Sequence, residues 1–244
     1  MKVVAVVPAL DEAEHIGGVV RGCLPRVDRV VVIDDGSSDD TGALARAWGD
    51  RVEVLRHERP RGVGASIAEG MARARALGAD AAVVLAGDGQ MDPLDLPAVL
   101  APIARGEAEL VKGDRLAWPE GALAFPLQRL IGVVGLAAAT RVATGLAIDD
   151  AQCGYLAVSR RALAALPWDA MWPSFGYPND LLSHAACLGL RVGEVPVRPV
   201  YGTERSKLRV AHLPGIAFVL LRAAGRRVTS RAASGAASRA KERP

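Results

Sequence analysis

The chain has 244 residues, half of them hydrophobic, with 30 basic and 27 acidic side chains and a net charge of +3. That length fits one domain with a small appendage, and that apolar content excludes a disordered or fibrous protein. The small total hides an asymmetry: residues 222–244 hold seven basic side chains and one acid, while residues 1–221 hold 23 basic and 26 acidic, so a mildly acidic body carries a basic tail, and a nucleic-acid-binding body is not expected.

Val3–Val7 is a continuous apolar run closed by Pro8, which predicts a fully buried strand. Residues 12–24 have apolar spacing for a helix. Residues 29–33 predict a second buried strand, ending in Asp34-Asp35-Gly36-Ser37. A short helix follows over 39–48, with acids in its first turn. Strand 52–55, a glycine turn at Gly62–Gly64 and an Ala-rich helix over 65–77 come next. Strands over 81–85 and 109–112 flank a helix over 95–104. Strands alternating with helices at this spacing predict an α/β fold with a mostly parallel sheet covered on both faces. Ligands then bind beyond the carboxyl ends of the strands. Those ends carry residues 8–12, 34–37, 86–90 and 113–115.

After Arg115 the alternation stops. Residues 120–145 predict apolar helix, residues 153–158 and 191–197 strands, and residues 178–188 a helix. Leu213 to Arg231 reads as an amphipathic helix with Arg222, Arg226 and Arg227 on a polar face, suited to an anionic membrane surface; a helix packed on the domain with a loose tail is the competing reading. Residues 230–244 have no apolar face and read as a frayed tail. Aromatics are scarce, ten in all, and eight lie between Trp118 and Tyr201. Trp168, Trp172, Phe175 and Tyr177 fall just before Asp180 and suit a loop that covers a sugar or receives an acceptor. A satellite core under a long loop is the competing reading.

Cys23, Cys153 and Cys187 are odd in number and widely spaced, which points to a reducing compartment without disulfides or a zinc site. No apolar run approaches the roughly 20 residues of a spanning helix. A cytoplasmic protein, with the inner face of the membrane within reach of its tail, is the expectation.

Two constellations carry chemistry. At Asp34-Asp35-Gly36-Ser37, a carboxylate beyond a buried strand suits a base or ribose hydroxyl, and the glycine permits a sharp turn. At Ala86-Gly87-Asp88-Gly89-Gln90, a carboxylate between glycines allows close approach of a diphosphate, and with an amide oxygen it suits a hard cation.

The runs Val7-Pro8-Ala9-Leu10-Asp11-Glu12, Val32-Ile33-Asp34-Asp35-Gly36-Ser37-Ser38-Asp39-Asp40-Thr41 and Gly87-Asp88-Gly89-Gln90-Met91-Asp92-Pro93 resemble the family 2 glycosyltransferases of GT-A fold, and most of all the dolichyl- or polyprenyl-phosphate sugar transferases. Val111-Lys112-Gly113-Asp114-Arg115, Asp150-Ala151-Gln152-Cys153-Gly154-Tyr155, Asn179-Asp180-Leu181-Leu182, Val195-Pro196-Val197 and Tyr201 through Lys207 match in the same order. The resemblance spans residues 2–208. It implies a GT-A domain over 1–209, with a nucleotide-sugar half (1–115) and an acceptor half (116–209), followed by a helix and basic tail over 210–244.

It further implies inverting transfer of a sugar from a UDP- or GDP-sugar. Pro8, Ala9, Asp11, Glu12, Asp35, Gly36, Ser37, Gly87, Asp88 and Lys112 match donor-binding positions. Asp88 and Gln90 match positions for Mg²⁺ or Mn²⁺. Arg115 matches a basic position near the transferred group, and Asp180 the carboxylate that often serves as base. Gln152, Tyr155, Arg205 and Lys207 match positions facing acceptor and phosphate. The family usually carries Asp at the place of Ala86, which weakens the metal motif, and His212 is a candidate substitute ligand. The acceptor stays open between a polyprenyl phosphate and a soluble hydroxyl. A nucleotide-sugar-binding protein without turnover and a nucleotidyltransferase are the alternatives from other classes; the latter lacks a Gly-rich phosphate loop.

Overall fold

A computed structural model describes residues 1–119, 121–200 and 212–241, with the side chains of 124, 213 and 230–241 outside the description. Seven strands form one sheet: β1 (Val3–Ala9), β2 (Arg29–Asp34), β3 (Val52–Arg56), β4 (Ala81–Val84), β5 (Leu110–Asp114), β6 (Leu156–Ser159) and β7 (Val192–Pro196). Their order across the sheet is β3-β2-β1-β4-β6-β5-β7. Only β6 runs against the others, pairing antiparallel with both β4 and β5. The helices are α1 (Ile16–Cys23), α2 (Thr41–Arg46), α3 (Val63–Ala76), α4 (Leu96–Ala104), α5 (Leu127–Thr144), α6 (Arg160–Ala165), α7 (Tyr177–Cys187) and α8 (Leu213–Lys241).

Every residue of β1 is buried, and alternate side chains feed two separate cores. Val3, Ala5 and Val7 face α1 and α4, packing with Ile16, Val20, Leu96 and Val99. Val4 and Val6 face α3 and α7, packing with Ile67, Met71, Leu181 and Leu182. The period of two along a strand thus fills both faces. Helices α5 and α8 form a further layer against α7.

The structure differs from the sequence expectations in three places. The short helix α6, capped by the Ser159 side chain on the Ala162 N–H at 3.3 Å, stands where none was expected; its six residues are too few for a periodic signal. The region 120–145 splits into a 3₁₀ turn (Gly121–Ala124) and α5, because Pro126 has no N–H to give and starts the second helix. Helix α8 continues through Lys241, so the segment read as a frayed tail is helical up to that residue.

Candidate active site

The carboxyl ends of β1, β2 and β4 meet at one edge. Asp35 lies just beyond β2 and is only 4% exposed. Its Oδ1 accepts the Arg61 N–H at 2.8 Å and lies 2.6 Å from His57 Nδ1, while Oδ2 accepts the Gly62 N–H at 2.9 Å. His57 Nε2 lies 2.7 Å from Glu69, which also receives Arg61 Nη1 at 3.0 Å. Burial alone would lower the His57 pKa, but the hydrogen bonds with Asp35 and Glu69 outweigh it and raise it. His57, Arg61 and Glu69 were not marked by the sequence. Their only signal is topological: β2 and β3 are parallel neighbours, so residues after the end of one face residues after the end of the other.

Asp34 has a different task. It is fully buried, accepts the Ser37 N–H at 2.9 Å and holds Arg56 Nη1 at 2.7 Å. Asp34 and Arg56 are register partners across β2 and β3. The first aspartate of the pair therefore builds the turn, and the second faces the site.

The loop after β1 is tied to the loop after β2. Asp11 has a φ of 54°, an unusual value outside glycine, and its Oδ1 accepts the Ser38 N–H at 2.7 Å. Ser37 Oγ accepts the Asp11 N–H at 3.0 Å, and Thr41 Oγ1 accepts the Glu12 N–H at 2.8 Å. Gly36, with φ 81°, passes so close to Arg59 that a Cβ would sit 3.0 Å from its carbonyl carbon. Pro8 and Ala9 end β1 beside Gly87, where a Cβ would lie 2.8 Å from the Ala9 Cβ. The structure thus brings Pro8, Ala9, Asp11, Glu12, Asp35, Gly36, Ser37, Gly87 and Asp88 to one sheet edge.

Asp88 is half-buried, and its Oδ1 accepts the Gln90 N–H at 3.0 Å. Gln90 lines a cleft with Met91, Arg115, Gly154, Arg198 and Val200. Arg115 holds the buried Asp150 through two bonds, Nε to Oδ2 at 2.7 Å and Nη2 to Oδ1 at 2.9 Å. Its guanidinium also lies 5.3 Å from the Phe125 ring centroid. The pair is bidentate and so sets the fork's direction, and the Asp150 N–H is held in turn by Glu194 at 3.0 Å.

Three expected site residues lie elsewhere in the structure than at the sheet edge. Lys112 is fully buried, its ammonium donates to the Cys153 carbonyl, and burial pushes its pKa down; as placed, it does not reach a donor. Tyr155 is 1% exposed in the α1/α4 core, with its hydroxyl donating to the Asp92 carbonyl at 3.1 Å; as placed, it does not face an acceptor. Asp180 is buried on the first turn of α7. It accepts Arg222 Nη2 at 2.8 Å, Arg226 Nη1 at 2.6 Å and the Trp172 N–H at 2.9 Å. Burial raises its pKa, yet these bonds win and the net direction is down. A carboxylate so held is a poor proton acceptor. Gln152 donates to Asn179 Oδ1 at 2.8 Å, and Asn179 Nδ2 is buried without a partner among the described residues. Tyr201, Arg205 and Lys207 lie outside the described residues.

The aromatic group divides. Trp168 and Tyr177 join the core. Trp172 and Phe175 stay half-buried on the loop before α7; Trp172 meets Phe218 of α8 at 5.8 Å between ring centroids, and Phe175 meets His212 at 4.5 Å. This loop rests on the start of α3: the Ala65 N–H donates to the Pro173 carbonyl at 3.1 Å. A Cβ on Gly62 would come 2.5 Å from that carbonyl oxygen, and one on Gly64 would overlap the Trp172 carbonyl. The glycine pair read as helix entry is also the seat of the loop from the other half.

The sequence pattern of glycosyl transferase family 2 matches residues 4–165, about two thirds of the chain. The chain belongs to this family. It is a glycosyltransferase, and its mixed seven-stranded sheet is the GT-A fold of its structural neighbours. It is similar to a UDP-N-acetylglucosamine–dolichyl-phosphate N-acetylglucosaminyltransferase of Methanococcus voltae, 30% identical over 84% of this chain and 87% of that one. It is also similar to an undecaprenyl-phosphate mannosyltransferase of Micrococcus luteus, 32% identical over 81% of this chain and 83% of the relative. Among solved structures it resembles a glucosyl-3-phosphoglycerate synthase from Mycobacterium tuberculosis in complex with Mn²⁺, UDP and glucosyl-3-phosphoglycerate, with a TM-score of 0.68, 27% identity, and coverage of 92% of this chain and 80% of that one.

The place where the resemblance expects a metal is sparse in side-chain ligands. Asp88 and Gln90 offer one carboxylate and one amide oxygen at the sheet edge, and Ala86 offers nothing. A hard divalent cation takes about six oxygens, so these residues fit one only with a diphosphate and water supplying the rest. A carboxylate cluster, Asp114, Asp149 and Glu194, already has partners: Asp114 accepts the Leu116 and Ala117 N–H groups, Glu194 those of Asp149 and Asp150, and the Asp149 carboxylate pairs with Arg141.

Proposed function

We propose that this glycosyltransferase moves a sugar, with inversion, from a UDP-sugar to a polyprenyl phosphate. The observation that carries the reading is the state of Asp180. The carboxylate at the position of a catalytic base is bound by two arginines and a backbone N–H. A neutral hydroxyl acceptor must lose a proton to a base of suitable pKa. A lipid phosphate is already an anion and needs no such base. The names of the curated relatives, which act on dolichyl and undecaprenyl phosphates, support the same acceptor, and the relative that uses UDP-N-acetylglucosamine and the neighbours that hold UDP support the donor nucleotide.

In this reading Asp35 accepts from the nucleobase, with Asp11 and Pro8 shaping the pocket around the nucleoside. Asp88 and Gln90 would hold a Mg²⁺ or Mn²⁺, as neighbours hold either ion with UDP, and the bound ion would contribute positive charge that stabilises the leaving diphosphate. Arg115, aimed by Asp150, and the arginine and lysine at 205 and 207 supply more.

The test is transfer from a panel of UDP- and GDP-sugars to detergent-dispersed undecaprenyl phosphate and, in parallel, to 3-phosphoglycerate. Transfer to the lipid phosphate from a UDP-sugar, with a product of inverted anomeric configuration by NMR, is the expected outcome. Asp180→Asn should keep lipid-phosphate activity within about tenfold, whereas loss of a true general base costs about 10²–10⁴. Turnover on 3-phosphoglycerate alone, or a loss of that larger size, overturns the acceptor assignment.

A further inference from the structure

The group behind Asp35 is assembled from separate elements. His57 is the first residue beyond β3, and its N–H donates to the Asp34 carbonyl at 2.9 Å. That bond extends the β2–β3 ladder past Arg56 and sets the ring beside Asp35. Glu69 comes from α3, and Arg61 from the loop that joins β3 to it. The His57 side chain is 5% exposed and that of Asp35 6%, so the cluster is buried at its centre. The charged groups facing the ring are Asp35 from the end of β2, Glu69 from α3 and Arg61 from the loop. The Asp34 carboxylate is turned away, to Arg56 and the Ser37 N–H.

The distances assign the protons. Nδ1 lies 2.6 Å from Asp35 Oδ1, and Nε2 lies 2.7 Å from Glu69 Oε2. A neutral imidazole has one N–H and one lone pair, so either tautomer would press a lone pair against a carboxylate oxygen. The imidazolium donates at both ends. Asp35 also accepts two backbone N–H groups, and Glu69 accepts Arg61 Nη1 at 3.0 Å, bonds that suit ionised acids. Arg61 Nη1 lies 3.4 Å from Nε2, so two cations share Glu69. The cluster then balances Asp35 and Glu69 against His57 and Arg61, as burial requires. Burial alone would lower the His57 pKa, and the two carboxylates raise it, in the direction this geometry needs.

We propose that His57 and Glu69 are positioning residues for the donor: a doubly donating His57, anchored to α3 by Glu69, holds Asp35 as a fixed acceptor and makes nucleotide binding depend on the ring's second proton. This rests on the assignment of Asp35 to the nucleobase. An acceptor held in this way selects a base that presents a ring N–H, as uracil does, over cytosine, which presents a bare ring nitrogen at the same place. A bare nitrogen would set two acceptors face to face in a buried site, which costs more than one missing bond. Deprotonation removes one of the ring's two N–H donors. Either Asp35 or Glu69 then loses its bond to the ring, and the tie from Asp35 to α3 is broken. UDP affinity therefore falls as pH rises through the His57 titration.

The test is calorimetric titration of the full chain with UDP and with CDP, Mg²⁺ present, from mildly acidic to mildly alkaline pH. UDP affinity should fall with rising pH, with protons taken up on binding near the midpoint, and CDP should bind more than about tenfold more weakly. Glu69→Gln removes one of the two anions that hold the ring's charge and should lower the midpoint by about one pH unit. His57→Gln should weaken UDP about tenfold, flatten the profile and narrow the preference over CDP. Ionisation of the uracil itself is common to every variant, so the displacement between variants is the reading. A parent affinity that ignores pH, a midpoint that Glu69→Gln leaves in place, or a His57→Gln profile like the parent's overturns the proposal. A uniform loss at every pH, with slope and base preference intact, assigns His57 to folding and overturns it too. Asp35→Asn separates the two readings. UDP affinity unmoved by that substitution rejects the nucleobase assignment and the proposal with it, whereas a loss there beside unshifted His57 and Glu69 variants rejects the positioning role alone.

Discussion

Asp35 shows how much of a site lies in the wiring of one carboxylate. A carboxylate can accept about four hydrogen bonds, and Asp35 is joined to His57 and to the N–H groups of Arg61 and Gly62. One acceptor position remains, its direction fixed by the other three, and in the proposed reading it takes the nucleobase. His57 should make this arrangement pH-dependent. Its pKa is raised above the ordinary 6.5. A raised histidine contributes stability that is complete below the unfolded value and is lost as pH rises through the folded one. The melting temperature should therefore fall from neutral to mildly alkaline pH, and His57→Gln should flatten that fall, read by thermal denaturation across the range. An unchanged slope in the variant would remove His57 from the account. The place of Asp35 at the end of β2 was readable from a carboxylate and glycine beyond a buried strand. The contributions of His57 and Glu69 were not, because they join the site only through the neighbouring strand and through α3.

At the scale of elements, α7 and α8 are joined by an ion cluster the sequence concealed. Residues 177–187 read as a helix, and Asp180 read as a base. Arg222 and Arg226, more than 40 residues later, read as a polar face turned to a membrane. Spacing within α8 correctly put Arg222 and Arg226 together but could not say which way that face turned. The partner is a single buried acid on another helix. Removing that acid leaves two guanidiniums partly buried without their counter-charge. Asp180→Asn should cost about 2–3 kcal/mol in a urea titration, below the value for a fully buried pair because Arg222 and Arg226 side chains keep 34% and 24% exposure. The contribution is also acid-sensitive. The Asp180 pKa lies below 3.8, so the pair's stability is present above that value and is lost as pH falls through the lower folded one. A cost near zero would mean that α8 is held by Ile216, Val219 and Ala223, its buried apolar residues, and not by the cluster.

For the whole molecule, the expected division into a nucleotide-sugar half (1–115) and an acceptor half (116–209) is not a division of the sheet. The alternating pattern up to Arg115 made the first five strands legible, since continuous apolar runs and intervening helices leave few arrangements for a parallel sheet. What no periodicity conveys is where a late strand inserts. Strand β6, from the acceptor half, lies between β4 and β5, and β7 pairs with β5 at the sheet edge. Without residues 156–159, β4 and β5 would face each other across a gap with unpaired N–H and C=O groups. The loop at Trp172 and Pro173 also closes over Gly62 and Gly64 of the first half. The two halves should therefore unfold together. Trp48 reports on the first half, and Trp118, Trp168 and Trp172 on the second. On heating, the fluorescence of a variant keeping only Trp48, with Trp118, Trp168 and Trp172 replaced by Phe, should change at the same midpoint as its far-ultraviolet circular dichroism, as one cooperative transition requires. Two separated transitions would show that the inserted strand does not bind the halves into one unit. The same interleaving argues that a chain cut after residue 145 should not fold, although it would retain the first five strands and most of the residues at the sheet edge that the donor is expected to meet.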